Sequence, residues 1–481
     1  MRNLLKTLAI TAIIATQLAA QTSVWDGTYD TTWYRSSQRS FTITTAAQLA
    51  GLARLVNNGI AANSSGAVFC ENSFREKTII LANDIDLDGR DWTPIGNWHG
   101  ICGQFGGIFD GNGHSISNLL VRASGYGGLF GDVAGGQIKN LVVNVLRITT
   151  PTHYNTAFAG GLAGQASGTI ENCGVNIRDN INGLSAGGLV GRGYALTIKN
   201  SYSSGNVFAS SLSGVPHAGG LIGYGEQTIT IINSYSTSNV SASVSNRSSY
   251  SGGLVGYAIN RVDITNSYSS GIITAIGEGG TKNIGGIFGD YLLGTYNSVY
   301  YNSEGASSAA GGVSSISGIL AKTPDELRQT ATFVGWDLEN TWNINSTINN
   351  GFPYLRYFAD SDNTSIGNPR KTNNRHGIRF AENPVSEQAE ISVVLPDAST
   401  GSATETRITI YDMTGNVVFE CKGTACLARS SSADKASRVL TWNLRNTAGR
   451  FVANGTYLVI AEVKDLNGNL YRYSARLGVK R

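Results

Sequence analysis

Four tyrosines stand where a row of binding groups could form. Tyr194, Tyr224, Tyr257 and Tyr291 each follow, by one to three residues, the last glycine of a recurring Gly-Gly-apolar-apolar-Gly phrase. If the phrases stack, the rings line up along one side of the molecule, where regularly spaced aromatics could stack against sugar rings. The same rings could instead cover loop backbone, with their hydroxyls satisfied locally. A second constellation, Asp84-Ile-Asp-Leu-Asp-Gly89, puts Asp84, Asp86 and Asp88 on one strand face, where like charges repel unless a cation or basic group lies near. Its first six residues match the opening of a calcium loop, but Ile95 occupies the twelfth position, where such a loop supplies a bidentate glutamate. The competing reading turns Ile85 and Leu87 inward and leaves solvated aspartates outside. Calcium is the one cofactor these residues raise.

Other chemistry finds less to work with. The five histidines (His99, His114, His153, His217, His376) lack metal-ligand spacing, and the chain has neither a Gly-x-Ser-x-Gly elbow nor a phosphate-binding loop. Polysaccharide cleavage would call for paired carboxylates. The outer positions of the repeat strands hold Lys139, Glu171, Lys199, Thr230, Asp263 and Thr265, one charge per coil rather than a cluster. A non-catalytic protein is expected. A net charge of +3 over 481 residues is too slight to argue for nucleic acid or an anionic membrane. Cys421 and Cys426 are close enough for a local disulfide in an oxidising compartment. Cys70 could pair with Cys102 if the fold brings them together, and Cys173 reads as a buried, inert thiol.

What would position these groups is internal repetition. Gly252-Gly-Leu-Val-Gly256 followed by Val262-Asp-Ile-Thr-Asn-Ser-Tyr268 recurs at Gly187 and Gly219, and more loosely at Gly106, Gly127, Gly160 and Gly285. The period of about 21 to 33 residues is that of a solenoid, each unit one coil that cannot bury its apolar face alone. Ile116, Ile138, Ile170, Ile198, Ile231 and Ile264 stand two residues before Asn118, Asn140, Asn172, Asn200, Asn233 and Asn266. Ile108, Leu129, Leu162, Leu189, Leu221, Leu254 and Ile287 follow the Gly-Gly pairs. Such columns suit coils stacked one strand spacing apart, ~4.8 Å. The asparagines suit left-handed turns and a hydrogen-bonded ladder along the stack. The fold class expected is all-β: a right-handed parallel β-helix, the hand following the crossover rule, with short helical caps and then a small immunoglobulin-like β-sandwich.

Residues 1–20, with Arg2, Lys6 and an apolar run ending at Ala19-Ala20, have the layout of a secretory signal peptide. No later stretch reads as a transmembrane span. Residues 21–40 read as a capping segment before a coil region at 41–358. Thr45-Ala-Ala-Gln48 and Thr323-Pro-Asp-Glu326 have capping-box spacing and predict a helix at each end of the coil. Tyr202, Tyr235 and Tyr268 are expected in the core. Residues 359–375 read as a linker. Within 376–481, Arg407–Asp412 turns into Val417–Phe419, and Tyr457–Val463 into Leu470–Tyr473, as antiparallel hairpins of a sandwich.

The Gly-Gly-Leu-Val-Gly phrases with their Ile-x-Asn-Ser-Tyr-Ser strands resemble the GLUG motif of bacterial cell-surface and secreted proteins, many regarded as adhesins. The lead-in from Thr78 to Asn118 is similar to that family too, so the resemblance covers roughly residues 40 to 358. Asn383-Pro-Val385, Ile410–Val417, Trp442–Asn446 and Asn454–Leu458 resemble the C-terminal sorting domains of type IX-secreted proteins and the related flagellar hook-cap modules. Together they imply an exported or surface-displayed, adhesin-like protein whose partners are a polysaccharide or cell-surface glycan or protein, and, through the C-terminal domain, the outer-membrane secretion machinery.

Overall fold

The computed structural model describes residues 22–58, 60–62, 68–70, 73–96, 103–123, 125–151, 156–290, 293–313, 315–359, 377–380, 389–394, 405–412, 417–422, 428–429, 437–464 and 470–479. The expected signal peptide lies outside these residues, as does the expected linker beyond Ala359, which ends a short helix, Arg356–Ala359. The chain divides into two compact units, Met1–Asp360 and Ser361–Arg481. The first is a parallel β-solenoid of about seven turns.

Apolar columns hold the coils together. Phe41, Ile79, Phe109, Ile138, Ile170, Ile198, Ile231 and Ile264 are partnered in parallel register, each lying on its equivalent in the next coil. None is more than 3% exposed. Burying one such side chain contributes about 1.5–3 kcal/mol, so every added coil deepens a shared core. Leu129, Leu162, Leu189, Leu221, Leu254 and Ile287 form a second, fully buried column at the glycine corners.

The earliest copy of the phrase departs from the expected register. Ile138 pairs with Phe109 rather than Ile116, and Ile116 pairs with Val143, one strand further round the coil. Ile108 is therefore a half-buried partner of Gln137 and not a corner residue, while Ile95 bridges to Phe130, the residue that follows the corner leucine of the next coil. A longer turn causes the shift. Asp110 Oδ1 accepts the Asn112 N–H at 2.8 Å, and Asn112 and Gly113 both have positive φ, so extra residues stand where later coils turn on a single asparagine.

Those single asparagines, Asn140, Asn172, Asn200, Asn233 and Asn266, all adopt left-handed φ between 47° and 54°. Their amides also link the coils. Asn140 Nδ2 donates to Asp110 Oδ1, Asn172 to Asn140, Asn200 to Asn172 and Asn233 to Asn200, at 3.0–3.2 Å. Beside them runs a buried serine ladder: the Ser201 and Ser234 N–H groups donate to Ser234 Oγ and Ser267 Oγ, each at 3.1 Å. Cys173 stands in that column. Its N–H donates to Ser201 Oγ, and its thiol points at Glu171 O at 3.3 Å, as the Ser201 hydroxyl does at Lys199 O. The thiol is free, and burial pushes its pKa up to about 12.

The first helical cap forms over Ala46–Asn57, with Thr45 accepting the Gln48 N–H and Leu49, Leu52 and Val56 buried in the solenoid core. The segment before it lies across the helix so tightly that a Cβ on Gly51 would stand 1.8 Å from Asp30 O. At the other end the capping box forms but the helix does not. Thr323 N–H donates to Glu326 Oε2 and Glu326 N–H to Thr323 Oγ1, yet only a 3₁₀ turn, Glu326–Arg328, follows. Leu327 has only Thr330 and Ala331 three and four residues on, too little apolar stripe to carry a helix.

Residues 323–359 instead run as a strap along the outside of the coils. They cover Tyr202, Tyr235, Tyr268 and Tyr300, which stack in register as rings 5.1–5.2 Å apart at the first two steps. Tyr235, Tyr268 and Tyr300 are buried and Tyr202 is half-buried, but beneath Phe333, Trp336, Trp342, Phe352 and Leu355 of the strap and not in the coil interior.

The second unit contains two four-stranded antiparallel sheets. Both expected hairpins are present, Glu405–Tyr411 with Val417–Lys422 and Gly455–Lys464 with Leu470–Val479. Ile408, Ile410, Trp442, Val459 and Leu477 form one buried core. No described helix is long and apolar enough to cross a membrane.

Candidate functional site: a strip at the glycine corners

Each coil turns at its Gly-Gly pair between a short strand and a longer one. The third glycine of the phrase packs on the short strand of the preceding coil: a Cβ on Gly191 would lie 2.4 Å from Ala159 N, and one on Gly289 2.7 Å from Ser251 N. This close approach brings two surface columns together. The residue after the third glycine runs Asp132, Gln165, Arg192, Tyr224, Tyr257 in register. The short strands contribute Tyr126, Phe158, Ser185, His217, Tyr250.

The tyrosine row is therefore shorter than the sequence implies, and mixed. Tyr224 and Tyr257 are register partners with parallel rings, 5.8 Å apart and 5° from coplanar. Tyr194 falls out of line: it pairs with Glu226 and is 45% exposed, because Arg192 fills the place in its coil. Tyr291 lies outside the described residues. The short-strand aromatics are the part that repeat-reading missed. His217 packs on both Tyr224 and Tyr257, each 5.2 Å away, and Tyr250 lies 4.7 Å from Tyr257. Their only signal was a ring or imidazole shortly before a Gly-Gly pair, in a column whose residue type changes at almost every coil.

The other half of the strip is a polar relay. Gln104 and Gln165 donate to the two oxygens of Asp132, at 2.8 and 3.3 Å. Arg192 donates to Gln165 Oε1 and to Glu226 Oε2, and its guanidinium lies over the Phe158 ring. Burial raises the Asp132 pKa against the opposing pull of its amide donors and Arg192. The Tyr126 and Tyr224 phenols are likewise raised, first by burial and then by Asp132 and Glu226 respectively. The strip thus offers neutral phenols and fixed amides at its surface, with Arg192 paired to Glu226 and the Asp132 carboxyl held by two amides beneath.

His217 gives the strip a pH signature. Burial pushes its imidazole pKa down to about 3, and Ser185 Oγ lies 3.1 Å from Nδ1. A histidine held neutral in the fold but free to protonate when unfolded contributes stability that is complete above pH ~6.5 and is lost as pH falls toward 3. The loss should reach about 2 kcal/mol by pH 5. Urea unfolding at pH 7.5 and pH 5 should show that slope in the wild type and lack it in His217→Gln; identical slopes would refute the assignment.

The aspartate triplet does not converge. Asp84 Oδ1 accepts the Ser115 N–H at 2.8 Å and lies 3.3 Å from His114 Nδ1, Asp86 Oδ1 accepts from Asp88 N–H and Asn118 Nδ2, and Asp88 pairs with Arg90. Ile85 and Leu87 point into the core. Among the described residues, no group of three His, Cys, Asp or Glu side chains could hold a metal ion. Cys421 is disulfide-bonded, while Cys426 and Cys102, expected partners of Cys421 and Cys70, lie outside the described residues.

Fold and strip together define a repeat protein: a glycine-cornered parallel β-solenoid with a polar and aromatic flank, joined to a separate antiparallel β unit. No protein-family model and no curated protein matches the chain. Among solved structures it is similar to dimeric latent PorU from Porphyromonas gingivalis, at 25% identity over 21% of this chain and 9% of that one, TM-score 0.17. It is similar to CopC from Methylosinus trichosporium OB3b at 19% identity, over 21% and 93% of the two chains, TM-score 0.15. The cell-surface-expressed, multi-modular chitinase ChiW from Paenibacillus sp. str. FPU-7 aligns at 9% identity over 83% of this chain and 22% of its own, TM-score 0.15.

Proposed function

We propose that the chain is a secreted or surface-displayed, non-catalytic, adhesin-like protein that holds a polysaccharide along the strip, its C-terminal unit serving export or attachment. The register that puts Tyr224 on Tyr257, with Tyr250 and His217 packed against them, carries this reading. That register also decides the mode of contact. The facing sides of Tyr224 and Tyr257 are turned to each other, so hydroxyl edges rather than flat faces meet the glycan. Each such hydrogen bond contributes about 1 kcal/mol, and affinity comes from many contacts along a rigid scaffold.

The test is a polysaccharide binding array on the full chain beside the Tyr224→Phe, Tyr257→Phe double variant, which removes two hydroxyls and leaves the ring stack. A polymer held by the wild type should be held about tenfold or more weaker by the variant. Unchanged binding would move the ligand away from the strip. Release of reducing ends in the same wells would replace the reading with a polysaccharide-active enzyme on the same coil.

A further inference from the structure

A different strand of the coil carries a second row of polar groups. Asn144, Asn176 and Ser204 occupy one outward position in three consecutive coils, just past the asparagine corner, and Ser117 of the coil before lies beside Asn144 at a shift in register. They are joined lengthwise: Asn144 Nδ2 donates to Ser117 Oγ at 3.1 Å, Asn176 Nδ2 to Asn144 Oδ1 at 3.0 Å, and Ser204 Oγ to Asn176 Oδ1 at 3.0 Å. A carboxamide has two N–H donors and two acceptor lone pairs, so each asparagine keeps one donor and one acceptor site beyond the ladder. Asn144, Asn176 and Ser204 form one wall of a cleft of about 230 Å³, which Asn118, Leu146 and Gly205 also line.

Arg178 stands in that cleft, exposed and without an ion-pair partner among the described residues. Its neighbours on this flank are neutralised: Arg147 is paired with Asp179 and Arg122 with Asp91. One free guanidinium at the end of an amide row is a site for a polyhydroxyl chain that carries carboxylates, since the planar fork matches a carboxylate and the amides match hydroxyls.

We propose that this cleft binds a uronate polymer, an extended 1,4-linked acidic polysaccharide, with hydroxyls on Asn144, Asn176 and Ser204 and a carboxylate on Arg178. The spacing favours a glycan over a peptide. The row repeats every ~4.8 Å, close to the advance of one sugar in an extended 1,4-linked chain, whereas same-side groups of an extended peptide recur at roughly 6.7 Å. The inference shares with the proposed function only the premise that the ligand is a glycan, and its residues are separate from the strip.

The experiment measures binding of the full chain to polygalacturonate and to its fully methyl-esterified form, which has the same backbone without the charge. Polyglutamate serves as an anionic competitor that is not a sugar. The wild type should hold polygalacturonate at least tenfold tighter than the ester. Arg178→Gln, on an exposed side chain, should abolish that difference. The Tyr224→Phe, Tyr257→Phe variant should retain it, so the two sites fail separately. Equal affinity for both polymers, no binding to either, an unaffected Arg178→Gln, or displacement by polyglutamate at equal charge would each overturn the proposal.

Discussion

Gly220→Ala should cost the solenoid about 3 kcal/mol and lower its melting temperature by roughly 4 °C, as overpacking of a rigid contact does. A Cβ at this position would stand 2.0 Å from Gly253 O in the next coil and 2.4 Å from Ser236 Oγ across its own coil. The carbonyl cannot swing away cheaply. Gly220 N–H donates to Gly252 O and Leu221 N–H to Leu254 O, so moving that backbone breaks the ladder that joins the coils. Gly135→Ala is the matched control. Gly135 has φ +70 but nothing within 4 Å of its added methyl, so only the left-handed penalty of about 1–2 kcal/mol applies. Thermal and urea unfolding of the two variants separates steric from conformational cost. If Gly220→Ala were no worse than Gly135→Ala, the coils would not be locked by close approach at these corners.

That contrast also marks what could be read from the sequence. Recurrence of Gly-Gly and of isoleucine two residues before asparagine was enough to place Ile138, Ile170, Ile198, Ile231 and Ile264 in one column, because stacking rewards the same residue at the same place. The asparagine ladder followed for the same reason. Register failed where the chain spelled a similar phrase on a longer turn, at Gly106 and Ile116, since matching letters says nothing about how many residues a corner consumes. It failed again at Tyr194, where two more residues separate glycine and tyrosine than at Tyr224. The strip's short-strand column was illegible because its residues vary; only backbone pairing puts Ser185, His217 and Tyr250 in line. The strap was hidden differently. Its capping box promised a helix, and no local pattern announces that Trp336 and Trp342 will meet tyrosines that precede them by some 36 to 107 residues in the chain.

Trp342→Ala should release the strap before it unfolds the coils. Trp342 is fully buried, with ring centroids 4.4 Å from Trp336, 5.9 Å from Tyr235 and 6.2 Å from Tyr268. Truncating such a side chain costs about 3–5 kcal/mol. The loss falls on one attachment, because the coils keep their own ladders and interior columns while the strap holds by its aromatic face and a few hydrogen bonds. Limited proteolysis should then cut within residues 323–359 while the remaining solenoid resists, and the uncovered tyrosines should bind an apolar dye. Two milder changes test the assignment. Trp342 Nε1 has no hydrogen-bond partner among the described residues, so Trp342→Phe loses ring area alone and should cost far less than the alanine change. Tyr268 donates to Pro353 O at 2.6 Å and accepts from Asn349 Nδ2 at 2.8 Å, so Tyr268→Phe removes two hydrogen bonds but leaves Asn349 Nδ2 donating to Pro353 O at 2.8 Å, and should cost about 1–2 kcal/mol despite keeping the ring. Loss of strap and coils in a single step in Trp342→Ala would show that the strap is part of the solenoid's cooperative core and not a cover laid over it.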